Sequence, residues 1–118
     1  MKYLCLLYEN EQAWAAMLQS ESDAVMAEYF AFGDKYRTSG HVIGGNALQP
    51  TQTASTVRVR NGKISTTDGP FAETREQLGG FYLLEAKDLN EAIQIAAKIP
   101  AARTGGVEVR PIMEFKRD

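Results

Sequence analysis

Apolar and polar positions along the chain fall into short blocks that switch between strand-like and helix-like periods. Tyr3-Leu4-Cys5-Leu6-Leu7-Tyr8 is apolar at nearly every position. That pattern predicts a strand covered on both faces, since the run is too short for a core helix. Gln12 to Leu18 carries Trp14, Met17 and Leu18 at helical spacing. Ser20 or Ser22 then caps a longer helix from about Asp23 to Thr38. Its apolar stripe is Val25, Met26, Tyr29, Phe30, Phe32, Gly33 and Tyr36, with Gly40 as the residue that closes it. Such a stripe packs against a sheet. Tyr29 stands apart because a buried hydroxyl needs a partner, which suits the wall of a polar pocket.

Val42 to Leu48 reads as a second strand, and its Gly44-Gly45 pair marks a bulge or a close approach of another group, or else a plain bend. Thr56 to Arg60 alternates, Asn61-Gly62 is a strong hairpin turn, and Lys63 to Thr67 returns. Arg58 and Arg60 share one hairpin face, opposite Val57 and Val59; this is a solvated face or an anion site. Gly79 to Ala86 is a further strand. Asp88 and Glu91 open a helix that buries Leu89, Ala92, Ile93, Ala96 and Ile99 until Pro100 stops it. Val107 to Ile112 is the last strand, with Glu108 and Arg110 on one face.

The order is β-α-β, a hairpin, then β-α-β. It predicts one α+β domain over residues 1–118, with a ferredoxin-like βαβ-βαβ sheet and both helices on one face. The first strand is apolar on both sides, so a second copy of the chain is the expected cover, giving a homodimer with sheets face to face.

Composition narrows the function classes. The 118 residues are 44% apolar and carry a net charge of −2, which argues against a disordered chain. Thirteen Lys+Arg against 15 Asp+Glu leave no basic excess for direct nucleic-acid binding. Cys5 is the single cysteine and His41 the single histidine, so neither an internal disulfide nor a Cys/His zinc cluster is expected. No run is long enough to span a membrane, and with the unpaired cysteine this points to a cytoplasmic protein. No Walker loop or dinucleotide glycine fingerprint is present, and no cofactor or metal is expected.

Candidate chemistry gathers at Asp68-Gly69-Pro70-Phe71-Ala72-Glu73-Thr74. Gly69 and Pro70 fix the backbone, so Asp68, Phe71 and Glu73 stand in a defined relation. Two carboxylates beside an aromatic suit acid–base work, with Arg75 or Arg110 holding one of them ionised. The same Asp-Gly pair also suits a plain turn in which Asp68 bonds its own backbone.

This segment, with Gln77-Leu78-Gly79-Gly80-Phe81-Tyr82 and Val107-Glu108-Val109-Arg110-Pro111-Ile112, resembles the DGPF branch of the YCII-related proteins over nearly the whole chain. The resemblance implies a dimeric α/β barrel built from ferredoxin-like halves. It also implies a pocket that in relatives outside the branch uses a His–Asp pair, and one such relative is a dehydrochlorinating enzyme of aromatic breakdown. Members of the branch often lie beside or fused to alternative sigma factors of RNA polymerase. The position of the relatives' histidine falls near Tyr29 here, and no His is there. His41 follows the helix at a strand start and reads as a surface or packing residue.

Three functions fit this sequence. One is a cofactor-independent lyase, isomerase or hydrolase acting on a small organic molecule. In it Asp68 is the acid or base, Tyr29 a proton donor or orienter, Glu73 a second carboxylate, and Phe71, Arg58 and Arg110 hold the substrate. Another is a small-molecule-binding or regulatory module linked to sigma-factor-dependent transcription. The last is a structural dimer whose loop shapes the interface.

Overall fold

The first strand, β1 (Lys2–Glu9), runs through the middle of a four-stranded antiparallel sheet. The computed structural model describes residues 1–116. After β1 come α1 (Glu11–Ala15), α2 (Gln19–Thr38), β2 (Val42–Ala47) and a single 3₁₀ turn at Thr51–Thr53. The hairpin β3 (Ser55–Arg60) and β4 (Lys63–Asp68) follows, then β5 (Gln77–Glu85), α3 (Leu89–Ala96), α4 (Ala101–Thr104) and β6 (Gly106–Pro111). The sheet order is β2-β5-β1-β6, and β3-β4 form a separate two-stranded ribbon. The protein is thus mixed α+β, with open antiparallel sheets and no closed barrel among the described residues.

Local chemistry accounts for the element ends. Asn10 caps α1, its side chain accepting N–H bonds from Gln12 and Ala13. Helix α1 therefore starts one residue before the predicted Gln12–Leu18 stretch, and it ends at Ala15, short of Leu18. Helix α2 starts at Gln19 rather than about Asp23, because the Glu21 carboxylate accepts the Leu18 N–H at 3.0 Å and neither Ser20 nor Ser22 acts as cap. Asp88 caps α3 as expected, accepting the Glu91 N–H at 2.9 Å.

The core lies between the sheet and its helices. Tyr3, Cys5 and Leu7 of β1 point into it with Val42, Leu84, Phe32, Ala92, Ile95, Ala96, Ile99 and Ala101. Phe32 is buried while Phe30 is 66% exposed, because two positions on a helix lie about 200° apart. In α3 the buried stripe is Ala92, Ile95, Ala96 and then Ile99. Ile93 falls one position off that stripe and Leu89 precedes it in the first turn, so both are exposed, against expectation. Burial pushes the Cys5 thiol up to about 11, the behaviour of a packed hydrophobe rather than a reactive thiol.

The other sheet face carries Leu4 opposite Leu83 and Leu6 opposite Phe81, with Glu108 and Arg110 alongside on β6. The molecule measures 52 × 47 × 19 Å. Nineteen ångströms accommodates one sheet and one helix layer, so no second layer among the described residues covers this face. The Gly44-Gly45 pair proves to be both a bulge and a close approach. The β2–β5 register shifts between Val42 and Gly44, and a Cβ on Gly45 would sit 2.8 Å from the Phe81 carbonyl oxygen.

Candidate functional site

The hairpin closes on Asn61 (φ 51°) and Gly62 (φ 74°), both left-handed as a type I′ turn requires. Its register pairs Thr56 with Thr67, Val57 with Thr66, Arg58 with Ser65 and Val59 with Ile64. Thr56, Arg58 and Thr67 therefore share one face, and Val57, Val59 and Ile64 the other.

At the end of β4 the chain folds back over the polar face. Gly69 takes φ 107°, a conformation open to glycine and costly to other residues. Its N–H donates to the Ala54 carbonyl at 2.8 Å, and its carbonyl accepts the Thr56 hydroxyl at 2.9 Å. Those two bonds and Pro70 aim Phe71 back at the hairpin, where the Arg58 guanidinium lies 5.3 Å from the ring centre.

The result is a hollow of about 250 Å³, and Asp68, Glu73, Arg58 and Phe71 all line it. Among the described residues no hydrogen bond ends on the Asp68 carboxylate, so it is not consumed by its own turn. Two carboxylates, one guanidinium and one aromatic face then surround a space large enough for a small organic molecule. Thr56 and Thr67 also line it, and sequence reasoning passed over both. Their signal was present: strand alternation puts Thr56 on the face of Arg58.

The other expected site residues lie elsewhere. Tyr29 packs against the buried core under α2 and does not line the hollow. Burial, with Glu9 and then Tyr82 nearby, pushes its hydroxyl well above the ordinary tyrosine range, which disfavours ionisation there. Arg110 sits on β6 beside the uncovered sheet face, where its Nε donates to Glu108 Oε2 at 2.7 Å. Among the described residues neither Arg75 nor Arg110 forms an ion pair with Asp68 or Glu73.

Within the same residues no three His, Cys, Asp or Glu side chains converge on a metal position, and no helix is long and apolar enough to cross a membrane. A second hollow opens around His41, the residue read from the sequence as a surface or packing histidine.

A sequence model of the YCII-related domain matches residues 1–116. An uncharacterized protein of Rhizobium meliloti (strain 1021) is 39% identical over 118 residues, an alignment that covers 98% of this chain and 95% of the relative.

Proposed function

The chain belongs to the YCII-related domain family, and from that premise we propose that it acts on a small, flat organic anion held in the hollow between the hairpin and the Asp68-Gly69-Pro70-Phe71 loop. The observation that carries this reading is the convergence of Arg58 on the hairpin with Asp68, Phe71 and Glu73 of the loop that follows it on one space. Arg58 supplies a charge and a planar fork for a carboxylate or phenolate, and Phe71 supplies a face for a ring. Asp68 is the proton acceptor or donor of a cofactor-independent lyase, isomerase or hydrolase step, with Glu73 as the second carboxylate.

The assembly in this reading is a ferredoxin-like homodimer that completes an α/β barrel, in the cytoplasm. Two features support a second copy as the cover. Leu4, Leu6, Phe81 and Leu83 form an apolar band on a sheet face that no element among the described residues overlies. The hairpin presents Val57, Val59 and Ile64 to solvent at 60%, 56% and 75% exposure, and a lone two-stranded ribbon of this kind is marginal in water. A dimer that encloses the sheet face also brings Arg110 closer to an enclosed space than the single chain does.

The test is an NMR titration of the full chain with benzoate and 4-hydroxybenzoate as probes. Shifts are expected at the amides of Arg58, Asp68, Phe71 and Glu73, with loss of binding in Arg58→Gln. Shifts confined to other surfaces, or none at millimolar probe, overturn the site.

A further inference from the structure

A groove of about 310 Å³ opens where the end of α2 meets the starts of β2 and α3, lined among others by Ser39, Gly40, His41, Lys87 and Glu91. It is separate from the Asp68 hollow and shares no lining residue with it. Ser39 caps the C-terminus of α2, and Gly40 at φ 83° reverses the chain so that the His41 ring comes back beside the serine. Ser39 Oγ lies 2.7 Å from His41 Nδ1. Across the ring, His41 Nε2 lies 3.4 Å from Glu91 Oε1.

Glu91 is held in place independently. The same Oε1 accepts the Lys87 N–H at 3.0 Å, and the Glu91 N–H donates to Asp88 Oδ1. The Tyr36 ring stands edge-on to the imidazole, with 6.2 Å between centres. A carboxylate beside Nε2 favours the tautomer protonated there, which leaves Nδ1 free to accept from the serine hydroxyl. The Tyr36 carbonyl is the other acceptor within reach of that hydroxyl, at 3.1 Å, and the contact to His41 is the shorter.

Hydroxyl, imidazole and carboxylate in this order are the arrangement that activates a weak nucleophile. Ser39 is also exposed, so an electrophile reaches it. We propose that Ser39, His41 and Glu91 form an acyl-transfer site for small esters. The Ser39 oxygen bonds to the ester carbonyl carbon while its proton passes to His41 Nδ1. The ester C–O bond then breaks, and the departing alcohol takes that proton. Water attacks the acyl carbon and gives a proton to His41. Ser39 leaves with that proton, and the carboxylic acid is released. Glu91 steadies the imidazolium in both halves, and the Lys87 charge on the groove wall offsets the oxyanion.

The test treats the full chain with a fluorophosphonate and follows hydrolysis of 4-nitrophenyl acetate, locating the label by peptide mass spectrometry. The expected result is label concentrated on Ser39, none in Ser39→Ala, and a fall of about a hundredfold in labelling rate in His41→Asn. Label spread over the exposed serines of the wild-type chain overturns the proposal, and that measurement needs no variant to fold. An unchanged rate in a His41→Asn protein with a wild-type circular dichroism spectrum overturns it as well.

Discussion

The Arg58 guanidinium lies 5.3 Å from the centre of the Phe71 ring, and this contact connects the hairpin to the loop that follows it. Phe71 is otherwise 80% exposed, so the contact is worth only about 0.5–1 kcal/mol. The two backbone-directed bonds at Gly69 hold the loop, while Phe71 and Arg58 are left able to part around a ligand. Phe71→Ala is therefore expected to lower stability by about 1 kcal/mol or less and to weaken aromatic-anion binding by about tenfold. Urea denaturation and calorimetric titration with benzoate measure the two effects. A large stability loss with intact binding contradicts the arrangement.

Asp68 separates shape from chemistry. Its carboxylate faces the hollow and accepts no hydrogen bond from the described residues, so Asp68→Asn is expected to leave the melting temperature within about 2 °C of wild type. Turnover of a substrate identified by screening is expected to fall by about a hundredfold or more in the same variant. Equal turnover in both proteins removes Asp68 from the chemistry.

The uncovered sheet face predicts a dimer in solution. An interface of about 1,000 Å² or more in total is expected, with Leu6 and Phe81 near its centre. Leu6→Glu places a charge there and is expected to yield monomer by light scattering at micromolar protein, without loss of secondary structure. A wild-type chain that is monomeric under those conditions refutes the interface.

Gly45 is required by space rather than by φ. An added Cβ would meet the Phe81 carbonyl oxygen at 2.8 Å and Tyr82 Cδ1 at 2.9 Å. Gly45→Ala is expected to cost about 1–3 kcal/mol in urea denaturation, because backbone on one side of the clash must move. At Gly79 a Cβ meets nothing within 4 Å, so Gly79→Ala serves as the comparison and is expected to be mild.

Alkaline stability follows from Cys5. Its thiol rises from the ordinary 9.0 to about 11 in the folded chain because burial penalises the thiolate. Between those values the unfolded chain has lost the proton that the folded chain keeps, so stability falls as pH rises through 9 and this contribution levels off above about 11. Burial raises Tyr29 and Tyr82 too, which extends the fall to higher pH. Cys5→Ala is expected to flatten the first part of the profile in denaturation curves taken from pH 8 to 10.5. An identical profile in the variant assigns the fall to other groups.

Much of this architecture was legible in the sequence because local rules decide it. Asn61-Gly62 demands two left-handed residues, so the hairpin and its register follow from the dipeptide. The Asp88 cap and the position of β1 follow equally from capping chemistry and from an apolar run too short for a helix. The clustering of Asp68, Phe71 and Glu73 was legible as well, since Gly69 and Pro70 constrain them within one loop.

Tertiary structure decided the rest, because it depends on which distant surfaces meet. Periodicity marks an apolar stripe on α2 but not which edge of it faces the sheet, so Phe32 rather than Phe30 enters the core. The same freedom packed Tyr29 against the core and paired Arg110 with Glu108, while Arg58 came to Phe71. Ser39 and His41 are neighbours in sequence, but Glu91 met His41 only because the start of α3 comes beside the turn between α2 and β2, fifty residues away along the chain. A long-range meeting of this kind is set by the packing of whole elements against one sheet, and no local pattern of residues encodes it.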